Sequence, residues 1–202
     1  MLREIFSCIL IFSALTVTAQ QKSELMTPVG DANIDYKQVG APMPHIVLWT
    51  FDSVRIYKRK RVQIDLTHIR LVQKKPKMMK PKIIVDKDLN NKANLFVMMF
   101  NPTCGHCEDQ TQLFERNINL FKKSKLVLMA NPNMTDYLPN FIKSFKVKDF
   151  PQISIGVDSG SFIKETFLYS ALPQINVYSP DRKLIRAFAG EVPIDSLKQY
   201  IQ

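Results

Sequence analysis

Two cysteines separated by two residues, Cys104 and Cys107, are the residues of this chain whose type and spacing could carry out chemistry. Two intervening residues let the second sulfur reach the first within one helical turn. A disulfide that closes so small a loop constrains the unfolded chain very little, so it would be a poor structural cross-link. The spacing therefore predicts a redox-active pair that exchanges thiol and disulfide states with a substrate.

The third cysteine, Cys8, lies in a different context. Residues 1–20 have a basic start, an apolar core and a small-residue cleavage site after Ala19, which is the layout of a secretory signal peptide. We therefore predict that residues 1–20 are removed and that Cys104 and Cys107 are the only thiols of the mature chain. The same segment predicts export to the periplasm or another extracytoplasmic location, with a membrane tether if the leader is not cleaved.

A cysteine pair with this spacing can also be half of a zinc site, which needs four ligands. The histidines of the chain are His45, His68 and His106, and His106 lies inside the motif. No histidine follows residue 106 to complete a copper site. The sequence therefore predicts no metal and no cofactor beyond the Cys104–Cys107 disulfide itself. Metal (copper) binding and a non-enzymatic interaction module are the alternatives, although an interaction module is expected to have lost one of the two cysteines.

The residues on either side of the pair predict how it is held. Residues 95–100 form a continuous apolar run, which is typical of a strand buried on both faces. Residues 101–103 break this run, and residues 108–121 carry apolar side chains at helical spacing. Cys104 would then lie at the start of a helix, where unpaired N–H groups and the helix dipole stabilise a thiolate. Because the thiolate is the nucleophile, Cys104 is the predicted reactive residue.

Strands and helices alternate beyond the pair. Residues 150–169 show no clear pattern apart from a short helix near residues 161–167. The order from residue 94 is then strand, helix, strand, helix, hairpin, helix, which predicts an α/β fold with a mixed sheet. The other predicted elements are a strand at 126–130, a helix at 135–146, hairpin strands at 174–178 and 183–188, and a terminal helix from Pro193.

The segment before residue 94 has a different character. Residues 21–40 are polar and irregular and are predicted to be a flexible lead-in. Residues 41–93 are predicted to be a β-rich extension that precedes a domain over residues 94–202. The extension is predicted to contain a strand at 46–51, a hairpin at 54–66 with a cationic exposed end, and a loop at 74–82.

The net charge of +10 is concentrated in this extension. Residues 53–82 contain eleven Lys or Arg residues and a single acid, Asp65, whereas the rest of the chain is neutral. We interpret the basic region as the solvated face of a hairpin and linker that makes at most a weak contact with an anionic surface. Nucleic acid is excluded as a partner, because the protein is predicted to be exported and the region lacks interleaved aromatic residues.

Residues 96–107, with the sequence FVMMFNPTCGHC, resemble the strand, turn and helix start of the thioredoxin superfamily. This superfamily includes exported oxidoreductases and protein disulfide isomerases, and the Cys-Gly-His-Cys tetrad is the one seen in the isomerases. Residues 171–178 resemble the segment that carries the family's cis-proline. The resemblance covers residues 94–202 well, and residues 40–44 resemble the start of the TlpA and ResA branch more weakly. It implies a thioredoxin-like three-layer sandwich with a mixed central sheet and an N-terminal β-hairpin extension.

The resemblance also implies roles for single residues. Cys104 would attack a disulfide of a protein substrate, and Cys107 would resolve the mixed disulfide. Pro173 would lie against the pair after a cis bond to Leu172, and His106 would add positive character near Cys104. The implied partners are protein thiol or disulfide substrates and a redox partner that resets the pair.

Two departures from the family pattern leave the direction of electron flow open. Pro102 occupies a place where the family commonly has an aromatic residue, often Trp, and Trp49 is remote in sequence. The buried acid that assists proton transfer in thioredoxins has no clear match. Nearness in sequence makes Asp86, Asp88 and Glu108 the candidates for it.

Overall fold

The computed structural model describes residues 34–50 and 82–202. The strands of this part are β1 (Val47–Thr50), β2 (Lys82–Val85), β3 (Leu95–Phe100), β4 (Lys125–Ala130), β5 (Ile153–Asp158), β6 (Gln174–Tyr178) and β7 (Leu184–Ala189). The α-helices are α1 (Asp86–Leu89), α2 (Gly105–Arg116), α3 (Leu138–Ser144), α4 (Phe162–Thr166) and α5 (Ile194–Lys198). Short 3-10 helices lie at Ile118–Phe121, Pro132–Met134 and Val147–Asp149.

All these strands belong to one mixed sheet, in the order β2-β1-β5-β4-β3-β6-β7. Strand β3 runs parallel to β4 and antiparallel to β6, and every one of its residues is buried. Its even-numbered residues pack into a cluster with α2, α3 and α5, which we call the α2 cluster. Its odd-numbered residues pack into a second cluster with α1 and α4, the α4 cluster. The predicted three-layer sandwich with a mixed central sheet is therefore confirmed.

Helix α2 is shorter than the predicted helix over residues 108–121. It begins at Gly105 and ends at Arg116, and a separate 3-10 turn follows at Ile118–Phe121. Asn117, the C-cap residue, has a non-helical backbone with φ −112° and ψ 17°, and its side-chain amide donates to the Leu113 carbonyl at 2.9 Å. Apolar residues at helical spacing continue past Asn117 into the 3-10 turn, and for that reason the pattern predicts a helix that is too long.

Strand β5 was absent from the predicted order, so that order is wrong by one strand. The chain from residue 94 forms strand, helix, strand, helix, strand, helix, hairpin, helix. Gly156 interrupts the apolar pattern of β5, and the structure shows why glycine is needed there. A Cβ atom at this position would lie 2.2 Å from the backbone oxygen of Trp49, on the neighbouring strand β1. The predicted short helix near residues 161–167 is α4.

The N-terminal extension joins the same sheet at one edge. Strand β1 matches the predicted strand at 46–51, and it pairs antiparallel with both β2 and β5. Strand β2 was not predicted, and its first residue, Lys82, lies in the segment predicted to be a loop at 74–82. The segment at residues 40–43 runs beside β7, where the Gly40 N–H donates to the Leu184 carbonyl at 2.8 Å.

Several sequence predictions lie outside the described residues. They are the signal peptide at 1–20, most of the lead-in at 21–40, the hairpin at 54–66 and the basic region at 53–82 apart from Lys82. Over residues 34–50 and 82–202, no helix has both the length and the apolar character that a bilayer crossing requires.

Candidate active site

Cys104 lies at the junction between β3 and α2. It is the N-cap of α2 and has an extended backbone, and its carbonyl accepts the N–H groups of Cys107 at 3.0 Å and Glu108 at 3.1 Å. The turn before it is held by Asn101, whose side-chain oxygen accepts the N–H and the hydroxyl of Thr103, each at 2.9 Å. This turn redirects the chain from the buried strand into the helix, so Cys104 is placed at the helix N-terminus as predicted.

The two thiols differ in their environments. Cys104 is partly exposed, whereas Cys107 is fully buried in the α2 cluster. The pKa of Cys107 is raised to about 12, chiefly because burial disfavours the thiolate. A side-chain hydrogen bond to Cys104 and the negative charges of Cys104 and Glu108 act in the same direction, while a backbone hydrogen bond from Asn101 opposes them. Cys107 therefore stays protonated at neutral pH, and Cys104 is the thiol that a substrate can reach.

His106 is paired with a residue that sequence reasoning missed. Its ring Nδ1 shares a hydrogen bond with the Oε1 atom of Glu191, and both side chains are exposed to solvent. Glu191 follows the end of β7 and is distant in sequence from the Cys-x-x-Cys motif. No local pattern marks Glu191, because the contact depends on how the end of the hairpin packs against α2.

The loop that carries Glu191 is tied to the helix by a buried amide. Gln110 is 1% exposed. Its Oε1 accepts the N–H of Val192 at 2.7 Å, and its Nε2 donates to the carbonyl of Val192 at 3.3 Å. On the other side of Glu191, the Gly190 N–H donates to the Pro173 carbonyl at 2.8 Å. The backbone is therefore fixed immediately before and immediately after Glu191.

Pro173 is buried at the end of the loop between α4 and β6, and the Leu172–Pro173 peptide bond is cis. Gln174 holds this loop, because its Oε1 accepts the Leu168 N–H at 2.7 Å and its Nε2 donates to the Thr166 carbonyl at 2.9 Å. Leu172 packs against the α2 cluster, as does Cys104. The fold thus brings the loop that carries Pro173 and the cysteine pair to the same cluster.

The acids suggested by sequence proximity do not all lie near the pair. Asp86 accepts hydrogen bonds from His45 at 2.6 Å and from the Ile46 N–H at 2.7 Å, and Asp88 accepts the Val85 N–H at 3.0 Å. Both acids lie in α1, before the amino end of β3, whereas Cys104 follows its carboxyl end. Of the three candidates, only Glu108 contributes to the charge around Cys107.

A cavity of about 510 Å³ adjoins the carboxyl end of β3 at Met99 and Phe100, and neither cysteine lines it. It is bounded on one side by the loop before Pro173 and on another by Asp158, at the end of β5. Burial raises the pKa of Asp158, while backbone hydrogen bonds from Ile163 and Gly160 oppose this shift. These bonds, at 2.9 and 3.0 Å, occupy both carboxylate oxygens at the start of α4, so Asp158 has a structural role there.

Within residues 34–50 and 82–202, no group of three or more His, Cys, Asp or Glu side chains is arranged to hold a metal ion. The chemistry that the described residues support is that of an accessible thiol beside a buried one, at the start of a helix. His106, the residue before Cys107, forms an exposed histidine–carboxylate pair with Glu191.

Comparisons with known proteins identify the fold. No family model matches the chain, and no curated protein matches it in sequence. A candidate protein disulfide isomerase from Bacteroides thetaiotaomicron superimposes with a TM-score of 0.56 and 15% identity, over 82% of this chain and 89% of that one. The thioredoxin domain of a thiol-disulfide oxidoreductase from Bacteroides vulgatus gives a TM-score of 0.54 and 13% identity, over 82% of this chain and 99% of that one. A candidate thiol:disulfide interchange protein from Chlorobium tepidum superimposes with a TM-score of 0.54 and 12% identity, over 81% of this chain and 94% of that one. The chain therefore has a thioredoxin-like fold, as the motif predicted.

Proposed function

We propose that this chain, with its thioredoxin-like fold, is an exported thiol-disulfide oxidoreductase that exchanges disulfides with protein substrates through Cys104 and Cys107. The observation that carries the proposal is the asymmetry of the pair. A partly exposed Cys104 is the N-cap residue of α2, and Cys107, three residues later, is fully buried. The structural neighbours that are described as oxidoreductases and interchange proteins support the same chemistry.

The first step is attack by the Cys104 thiolate on a disulfide of the substrate. A bond forms between Cys104 Sγ and one substrate sulfur, the substrate disulfide breaks, and the other substrate sulfur leaves as a thiolate. Cys104 begins this attack from the N-cap of α2, at the positive end of the helix dipole.

The second step releases the substrate. Cys107 loses its proton and attacks Cys104 Sγ, which frees the second substrate sulfur as a thiolate and leaves a Cys104–Cys107 disulfide. Two electrons have then passed from the protein to the substrate. A dithiol partner must return them before another cycle, and the reverse sequence would oxidise a substrate dithiol.

The high pKa of Cys107 gives these two steps their order. At neutral pH the buried thiol is protonated, so it does not compete with Cys104 for the substrate. It becomes a nucleophile only when its proton is removed inside the mixed disulfide. Pro173 and His106 are proposed to border the reacting sulfurs, Pro173 from the loop before β6 and His106 from the first turn of α2.

The location is proposed from residues 1–20, which have the layout of a secretory signal. In an oxidising compartment outside the cytoplasm, substrate disulfides persist and a reductant or isomerase has a task. The proposed partners are therefore exported proteins with thiols or disulfides, together with the redox protein that resets the pair.

Trapping tests the proposal. Cys107→Ser should hold substrates as mixed disulfides on Cys104, because the resolving thiol is missing, whereas the control Cys104→Ser should hold none. The wild-type protein should also reduce the disulfides of insulin with dithiothreitol as the electron source. If Cys107→Ser forms no mixed disulfide with insulin and the wild-type protein does not accelerate its reduction, the proposed function is wrong.

A further inference from the structure

We propose that Glu191 is a positioning residue for His106, and that through His106 it shifts the equilibrium between the dithiol and disulfide forms of the cysteine pair. This inference rests on the proposed function and adds to it a residue outside the Cys-x-x-Cys motif. It is based on the hydrogen bond between the two side chains and on how the chain around Glu191 is held.

The loop at residues 190–192 is fixed from two directions. Gly190 donates its N–H to the Pro173 carbonyl, which ties the loop to the segment before β6. Val192 exchanges two hydrogen bonds with the buried amide of Gln110, which ties the loop to α2. An exposed carboxylate on an unrestrained loop would sample many positions, whereas the backbone of Glu191 is held between two anchors.

The carboxylate of Glu191 determines which nitrogen of the imidazole ring is left free to contact other groups. Because a carboxylate can only accept, the ring nitrogen that contacts it, Nδ1, must carry a proton. The Nε2 atom is then left to face other groups or solvent. A histidine held by Nδ1 in this way keeps one ring orientation, as metal-binding and catalytic histidines do through their outer hydrogen bonds.

A fixed ring matters for the cysteine pair because His106 is the residue between Gly105 and Cys107 in the first turn of α2. In its protonated form, a ring held near the start of the helix adds positive charge that stabilises the thiolate in the dithiol form, and a ring free to rotate does so less well. The disulfide form has no thiolate and is affected less. Loss of Glu191 should therefore favour the disulfide form.

The experiment equilibrates the purified protein with mixtures of reduced and oxidised glutathione and measures the fraction of disulfide. Glu191→Ala should shift the equilibrium constant about two- to fivefold toward the disulfide, as expected for an exposed charged contact. Glu191→Gln should shift it less, because the amide oxygen still accepts the Nδ1 proton. Asp195→Ala is the matched control, since it removes a nearby exposed carboxylate that pairs with Lys198 instead.

A double-mutant cycle separates action through His106 from other effects. In a His106→Ala background, Glu191→Ala should produce no further shift. An equal shift in both backgrounds, or no shift in the wild-type background, would overturn the inference. Failure of the proposed function would look different, because Cys107→Ser would then trap no substrate and the wild-type protein would not promote insulin reduction, whatever the effect of Glu191.

Discussion

The side chain of Gln110 on α2 uses both ends of its amide on one residue, Val192, in the loop between β7 and α5. The two hydrogen bonds measure 2.7 and 3.3 Å, and Gln110 is 1% exposed. A buried side-chain amide is costly unless its oxygen and its nitrogen both form hydrogen bonds, and here both do. The helix whose N-cap is Cys104 is thereby joined to a residue that lies 82 positions after Gln110 in the chain.

Gln110→Ala should destabilise the protein by about 1–3 kcal/mol, because it leaves the N–H and carbonyl of Val192 without partners in the interior. Urea denaturation followed by circular dichroism measures the change. Gln112→Ala is the control on the same helix. Gln112 is exposed and contacts Arg116, so its loss should change stability by no more than about 0.5 kcal/mol. Equal effects of the two substitutions would contradict the assigned role of Gln110.

Alkylation of Cys107 should be slow at neutral pH and should accelerate with pH. In a Cys104→Ser variant, where Cys107 is the remaining thiol of the pair, the rate with iodoacetamide should rise about tenfold for each pH unit. The rise should continue well above pH 9, because burial is the main cause of the raised pKa of Cys107 and the substitution leaves that burial in place. A rate that levels off near pH 9 would mean that Cys107 is an ordinary exposed thiol.

Gly156→Ala should separate β1 from β5. The new Cβ would lie 2.2 Å from the backbone oxygen of Trp49, and backbone atoms cannot move aside as a flexible side chain can. We expect a loss of about 1–3 kcal/mol in the free energy of unfolding, as for other overpacked sites. Thermal unfolding measures it, with Gly105→Ala as the control, since no atom lies within 4 Å of a Cβ built there. A neutral Gly156→Ala would show that the two strands are not so close.

Gln174→Ala should loosen the loop that ends at Pro173. The substitution removes the acceptor for the Leu168 N–H and the donor to the Thr166 carbonyl. We expect faster hydrogen exchange at the Leu168 amide and a loss of activity toward protein disulfides, with little change in the exchange of β3 amides. Unchanged exchange at Leu168 would show that this hydrogen bond does not hold the loop. Gln199→Ala, at the exposed end of α5, is the control.

The sequence predicts the central part of the fold well because its signals are local. The apolar run of β3, the break at Asn101 and the helical spacing after Cys107 each lie within a few residues of one another. Together they place the reactive pair at the correct junction. The mixed sheet and the terminal hairpin follow from the same kind of pattern.

The parts that the sequence does not predict depend on contacts between distant segments. In the sequence, Gly156 interrupts an apolar run and so argues against a strand. In the structure, the backbone oxygen of Trp49 lies so close to this position that it leaves no room for a Cβ atom. Glu191 and Gln110 have no neighbours in sequence that mark them as part of the site. Asp86 and Asp88 illustrate the opposite error, because nearness along the chain placed them near the pair, whereas they lie before the other end of β3.

The unequal burial of Cys104 and Cys107 also makes the pair a reporter of folding. A bulky, water-soluble maleimide cannot enter the α2 cluster, so it would label one thiol of the pair in each folded chain. In an unfolded chain it would label both. The mass added per molecule would then count folded and unfolded chains in the same sample, with no need for a spectroscopic signal.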